Sequence, residues 1–187
     1  MINEIKNLIS QKSNPVIAID GCCASGKTTL AKKIAEEIGA QVIRTDDFFL
    51  PFEMRSTERL STAGGNIHYE RFFDEVINGI KSGKSFEYRI FSCKTGNYNG
   101  AKTVDPSKPI IVEGAYSLRP EFADIYDYKI FMTVDEKIQL DRIFSRNGKD
   151  ALEIFKSKWI PLENRYFEFF NIEKQCDIVI NNNEVSL

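Results

Sequence analysis

A three-layer α/β domain on a parallel sheet of about five strands is predicted from three observations. Short apolar runs rich in β-branched residues recur along the chain, at Val16–Asp20, Gln41–Thr45, Pro109–Glu113, Tyr128–Val134 and Ile178–Ile180. Segments of helical spacing separate most of them. The first run flows into Gly21-Cys22-Cys23-Ala24-Ser25-Gly26-Lys27-Thr28, which fits G-x-x-x-x-G-K-[ST] at each fixed position. At 187 residues the chain suits one domain spanning 1–187, with ample length for a sizeable core.

Bulk properties narrow the partners. The formal net charge is -2 with 28% charged residues, so no global basic field marks a general nucleic-acid binder. Met1 to Lys6 lacks the apolar core of a signal peptide, and no apolar run approaches the ~20 residues that span a bilayer. A cytoplasmic protein without membrane contact is expected. Cys22, Cys23, Cys93 and Cys176 show neither C-x-x-C spacing nor histidine partners, His68 being the only histidine. No zinc site or disulfide framework follows; Cys22 and Cys23 read as small side chains in a tight loop, with oxidation sensitivity as the alternative. Nothing fixes the oligomeric state, and a homo-oligomer stays open.

In chain order, Ile2, Ile5, Leu8 and Ile9 predict a short leading helix packed on the sheet. Val16–Asp20 and the helix after the loop supply the context that a phosphate-binding loop requires. Leu30, Ile34 and Ile38 recur at intervals of four beside Ala31 and Ala35, and Gly39 closes the helix. A helix starting at Lys27 aims its free N–H groups and the positive end of its dipole at an anion. Lys27 reaches the outer phosphates, and Thr28 offers a hydroxyl to magnesium. The loop therefore predicts a bound nucleoside triphosphate.

The second strand ends in Asp46-Asp47-Phe48-Phe49. In open parallel sheets ligands sit beyond the carboxyl ends of strands, so these acids emerge near the loop; the alternative is a turn cap. The stretch 46–69, with Pro51, Gly64 and Gly65, reads as a long functional loop. Helical spacing resumes over Glu70–Lys81, with Phe72, Phe73, Val76, Ile77 and Ile80 expected in the core. Residues 86–105 predict a β-hairpin standing off the main sheet, with its turn over Lys94–Gly100, as a substrate-covering flap. Pro109–Glu113 is a buried strand stopping on an acid and Gly114. A buried Glu without a cation is costly, which favours a role at magnesium. Asp135 opens a helix through Ile138, Leu140, Ile143 and Phe144, whose basic end, Arg142, Arg146 and Lys149 around Gly148, reads either as a mobile lid over 142–150 or as a solvated helix end. Trp159, Tyr166, Phe167, Phe169 and Phe170 lie on a helical stretch expected to be interrupted by Pro161.

Gly21–Thr29, Thr45–Phe49, Tyr88 with its hairpin, Val112–Gly114 and Arg142–Asp150 together resemble the uridine kinase and phosphoribulokinase branch of the P-loop kinases. The resemblance runs from about Val16 to Ile180, and its most specific element is D-D-F-F after strand two. Nicotinamide riboside kinases share that element; uridine kinases carry D-S-F-Y. The resemblance implies a P-loop NTPase three-layer fold with a five-stranded parallel sheet, a hairpin flap and a basic lid. It also implies ATP, Mg2+ and phosphoryl transfer to the 5′-hydroxyl of a nucleoside-like substrate, with uridine or cytidine ahead of nicotinamide riboside, pantothenate or another alcohol.

Asp46 then matches the acid that accepts the hydroxyl proton, beside Lys27. Gly21, Ala24, Ser25, Gly26, Lys27, Thr28, Thr29, Arg142 and Arg146 match the ATP site, and Thr28 and Glu113 the magnesium site. Phe49, Tyr88, Arg89 and Lys149 fall on the substrate side. Where uridine kinases use an Asp for the ribose hydroxyls this chain has His68-Tyr69-Glu70, with His68 or Glu70 in that place; where their hairpin carries a base-reading His it has Cys93. A nucleotide-hydrolysing switch and a non-catalytic nucleotide-binding module are the competing readings. Asp46 and the hairpin favour the kinase, because a switch needs a positioned water rather than a pocket for a second substrate.

Overall fold

The computed structural model describes residues 2–9 and 11–183. Met1, Ser10 and 184–187 lie outside the described residues, as does the side chain of Ile2, which the sequence pattern assigns to the apolar face of the first helix. The elements in order are α1 (Ile2–Ile9), β1 (Val16–Gly21), α2 (Lys27–Ile38), β2 (Gln41–Arg44), α3 (Thr57–Ser61), α4 (Tyr69–Phe72), α5 (Asn78–Ser82), β3 (Phe86–Ser92), β4 (Asn97–Val104), β5 (Ile110–Glu113), β6 (Tyr128–Thr133), α6 (Glu136–Ile154), α7 (Ile160–Phe169) and β7 (Ile178–Asn181). Five strands form a parallel sheet in the order β2-β5-β1-β6-β7, and β3 and β4 pair separately as an antiparallel hairpin.

Alternation along each strand feeds two cores. Ile17, Ile19, Ile111, Ile130 and Met132 face one side, against Ile5 and Ile9 of α1 and Leu30, Ala31 and Ile34 of α2. Ala18, Ile43, Val112 and Phe131 face the other, against Phe72, Val76, Ile77, Tyr88, Phe122 and Tyr166. Burying each large aliphatic side chain contributes about 1.5–3 kcal/mol, so the apolar strand runs that define the fold also hold it. Register brings the strand ends together: Glu113 stands beside Ile19 on one flank and Arg44 on the other. The residues that follow, Asp20–Gly21, Thr45–Asp46 and Gly114, therefore emerge at one edge. Gly114 has φ 127°, and a Cβ there would lie 2.1 Å from Thr45 Oγ1. That close approach lets the β5 and β2 ends share one rim.

Four local expectations are corrected. The helix over 70–81 carries a π-turn at Phe73–Ile77, between α4 and α5, and Phe73 lies on its exposed flank while Phe72, Val76 and Ile77 face the core. The hairpin turn spans only 93–96, because a register shift between Arg89 and Phe91 absorbs the extra residue and the polar run Asn97–Gly100 is extended edge. Pro161 interrupts nothing: it occupies the first turn of α7, where its missing N–H is tolerated, after a π-turn at Phe155–Trp159. The basic stretch 142–150 lies within α6, which breaks at Gly148 (φ 81°, ψ 179°) and resumes to Ile154. No helix among the described residues is long and apolar enough to cross a membrane.

Candidate active site

The loop between β1 and α2 is held by its carbonyls. Lys27 Nζ donates to the carbonyls of Gly21 and Cys22 at 2.7 and 2.8 Å, Gln139 Nε2 to Cys23 at 2.9 Å, Arg142 Nη1 to Ala24 at 3.1 Å and Asn182 Nδ2 to Ser25 at 2.8 Å. Positive φ at Ala24 (58°) and Gly26 (98°) curls the backbone between these anchors. Such a curl, continued by the α2 N-terminus, has the backbone form that suits an anion. Three loop N–H groups are already engaged: Cys22 N–H donates to the Met132 carbonyl at 2.9 Å, Ser25 N–H to the Cys22 carbonyl at 3.2 Å, and Cys23 N–H to Glu163 Oε2 of α7 at 2.8 Å. Burial pushes the Glu163 carboxyl up, opposed by Lys27. Burial likewise raises the Cys22 and Cys23 thiols, which disfavours thiolate and supports their packing role.

Beneath the loop lies Asp20, fully buried at the end of β1. Its Oδ1 accepts from Gly21 N–H (2.7 Å) and Tyr116 N–H (3.2 Å), and its Oδ2 from Leu118 N–H (2.9 Å) and the Tyr166 hydroxyl (2.9 Å). Burial pushes this carboxyl up against those donors. Asp20 ties the loop to the turn after β5 and to α7, a role that sequence reasoning missed; the available signal was a charge closing an otherwise apolar buried strand.

At the shared rim, Thr28 Oγ1 lies 3.3 Å from both carboxylate oxygens of Glu113. Burial raises the Glu113 carboxyl, countered by the Arg44 guanidinium, whose Nε donates to Oε1 at 3.1 Å. Arg44 also reaches Asp46 Oδ2 at 3.3 Å, so one cation bridges the two acids. A hydroxyl and a carboxylate at this spacing fit magnesium, which takes few protein oxygens and completes its shell with phosphate and water. No cluster of three or more His, Cys, Asp or Glu that could hold a metal occurs among the described residues.

A cavity of about 710 Å³ opens over this rim. Ala24, Gly26, Lys27, Thr28, Thr29, Arg142 and Arg146 line its loop side, with Asp46, Phe49 and Glu113 beyond. Trp159 of the turn before α7 faces Phe49, ring centroids 6.3 Å apart, and Tyr116 holds φ 75° on the same wall. Gly21 and Ser25, also expected at the ATP site, are buried and do not line the cavity.

Other sequence candidates lie elsewhere. Tyr88 is fully buried on Phe48, its hydroxyl donating to Asp47 Oδ2 at 3.2 Å. His68 caps α4, Nδ1 accepting from Arg71 N–H at 3.3 Å, and Glu70 is gripped by Arg59 at 2.6 and 2.8 Å. Arg89 is committed to Glu75, and Lys149 is exposed beyond the α6 break. From the hairpin only Cys93, in its turn, reaches the cavity. The residues missed on the cavity wall include Arg44, Phe52, Arg55, Asn66, Tyr116, Phe155, Trp159 and Glu163.

Comparison with known proteins accords with this architecture. A uridine kinase of Ligilactobacillus salivarius is 24% identical over 92% of this chain and 88% of its own length. A uridine kinase of Staphylococcus aureus is 26% identical over 90% of this chain and 88% of its own. Among solved structures, a possible uridine kinase from Bacillus stearothermophilus superposes with TM-score 0.65 at 20% identity, over 95% of this chain and 99% of that one. Residues 16–151, the span from β1 into α6, match the phosphoribulokinase / uridine kinase family, and the chain belongs to it.

Proposed function

We propose that the protein transfers the γ-phosphate of ATP to a hydroxyl of a small acceptor, with Asp46 as the base. The carrying observation is that Asp46 and Lys27 line one cavity whose far wall is aromatic, leaving space for a second substrate beside the phosphate cradle. Phosphoryl transfer needs an in-line hydroxyl and neutralised oxygens more than covalent help. Lys27, which now bonds only loop carbonyls, can turn to the outer phosphates, and Arg142 and Arg146 flank the same side. Thr28 and Glu113 would hold Mg2+, which when bound neutralises charge on the phosphate oxygens. Asp46 orients the acceptor and takes its proton, while Arg44 fixes the carboxylate beforehand.

The names of the relatives make the 5′-hydroxyl of uridine or cytidine the first acceptor to test. Release of ADP from ATP and magnesium is measured with and without a panel of nucleosides and other small alcohols. Stimulation by an acceptor is expected; acceptor-independent hydrolysis supports a switch instead, and silence a binding module. Asp46→Asn should bind ATP yet lose turnover by about 10²–10⁴-fold, the range for a lost general base. Near-normal turnover in that variant removes Asp46 from the role.

A further inference from the structure

Two groups at the acceptor end of the cavity have no task in the chemistry above. Arg55 Nε donates to the Leu50 carbonyl at 2.8 Å, and the guanidinium carbon lies 4.4 Å from the Phe52 ring centroid. Its Nη2 meets only Cys93 Sγ, at 3.5 Å. No carboxylate pairs with it among the described residues, whereas Arg44, Arg59, Arg71, Arg89 and Arg119 each hold one. Asn66 is 6% exposed and lines the same cavity; neither Nδ2 nor Oδ1 of its side chain meets a partner at good hydrogen-bond geometry, its one polar neighbour being the Tyr116 hydroxyl on the same wall. Leu50 links the two: its carbonyl holds Arg55, and its N–H donates to the Asn66 carbonyl at 2.9 Å.

A guanidinium stacked on a ring and tied through Nε has already lost much of its rotamer freedom, so its Nη groups meet a ligand at reduced entropic cost. Phe52 stacks on it and Phe49 and Trp159 line the same cavity, so a charge-assisted bond made inside that cavity is stronger than one on open surface. A buried amide with no partner at good geometry is costly until a ligand supplies an acceptor and a donor. Resting on the kinase reading, and narrowing it, we infer that the acceptor is an anionic alcohol whose carboxylate or phosphate is gripped by Arg55 while Asn66 bonds a neighbouring polar group. A neutral nucleoside leaves Arg55 without a counterion.

Trp159 is the only tryptophan in the chain and lines this cavity, so binding is readable without turnover. With MgADP saturating the phosphate loop, fluorescence is titrated with matched pairs: glycerate and glycerol, pantothenate and panthenol, ribose 5-phosphate and ribose. Equilibrium dialysis of labelled probes gives the same constants where the ring signal is weak. The anionic member of at least one pair should bind about ten-fold or more tightly, the worth of one charge-assisted contact, and the pair that responds distinguishes carboxylate from phosphate. Arg55→Gln should bring that member close to its neutral twin, Arg55→Lys should retain part of the preference, and circular dichroism checks that both variants are folded. The inference is overturned if no anionic member outbinds its twin, or if the preference survives Arg55→Gln. Because binding is read separately, a failure of every acceptor to stimulate ADP release counts against the kinase reading alone.

Discussion

Replacing Asp20 by Asn removes one oxygen from a site where two oxygens serve four donors. The less costly amide orientation keeps the oxygen toward Gly21 and Tyr116 and turns the NH2 toward Leu118 and Tyr166. The Tyr166 hydroxyl can rotate to accept, but the Leu118 N–H cannot, so one buried backbone donor loses its partner. That costs about 1–3 kcal/mol, and removing a charge that burial disfavours offsets a fraction of it. A net loss near 2 kcal/mol in a chain of this size lowers the melting temperature by roughly 4–8 °C. Scanning calorimetry without nucleotide measures the shift, and ADP titration of the folded variant should show weaker binding, because the loop starts from Gly21. A melting temperature within about 1 °C of wild type would refute the view that Asp20 fastens the loop to the turn after β5 and to α7.

Three further outcomes are expected. A Cβ at Gly21 would lie 1.9 Å from the Met132 carbonyl oxygen at φ 133°, so Gly21→Ala should cost about 3 kcal/mol or more, read as a lower urea midpoint or loss of soluble protein. Glu163→Gln exchanges a charge-assisted acceptor for a neutral one at the Cys23 N–H, which should tighten ADP binding about five-fold; unchanged or weaker binding in calorimetric titration contradicts competition between that carboxylate and the nucleotide. Burial disfavours the Glu70 charge, but hydrogen bonds from Arg59 prevail and lower its pKa from 4.5 to about 2. The pair therefore stabilises the fold above the unfolded value, and that contribution fades as pH falls from 4.5 toward 2; the urea midpoints of wild type and Glu70→Gln should converge over that window.

The parallel sheet and the phosphate loop were legible because their signals are local. Val16–Asp20 is a buried β-branched run, and the loop's glycines answer backbone demands that few other residues meet. Asp46 and Glu113 were legible as acids at strand ends, which the sheet gathers onto one rim. Tyr88 was not, since alternation in β3 divides its faces without saying which face the α4–α5 helix covers. Asn66 hides in an aperiodic glycine-rich stretch, and Glu163 looks like any helix-surface acid because its partner Cys23 is 140 residues away. His68 and Glu70 occupied the expected place, but capping and Arg59 claim their polar atoms, and a linear pattern carries no record of such competition.

The break at Gly148 divides a helical run from Glu136 to Phe169, through the π-turn, into an arm bearing Arg142 and Arg146 and an arm bearing Phe155, Trp159 and Glu163. The first arm lines the phosphate-loop side of the cavity and the second its aromatic wall, with Glu163 reaching back to Cys23 of the loop, so one lever joined at a single glycine touches both sides. A ligand that draws one arm inward changes what the other must spend to follow. Thermodynamic linkage then requires that whatever factor ATP confers on acceptor affinity, the acceptor returns to ATP.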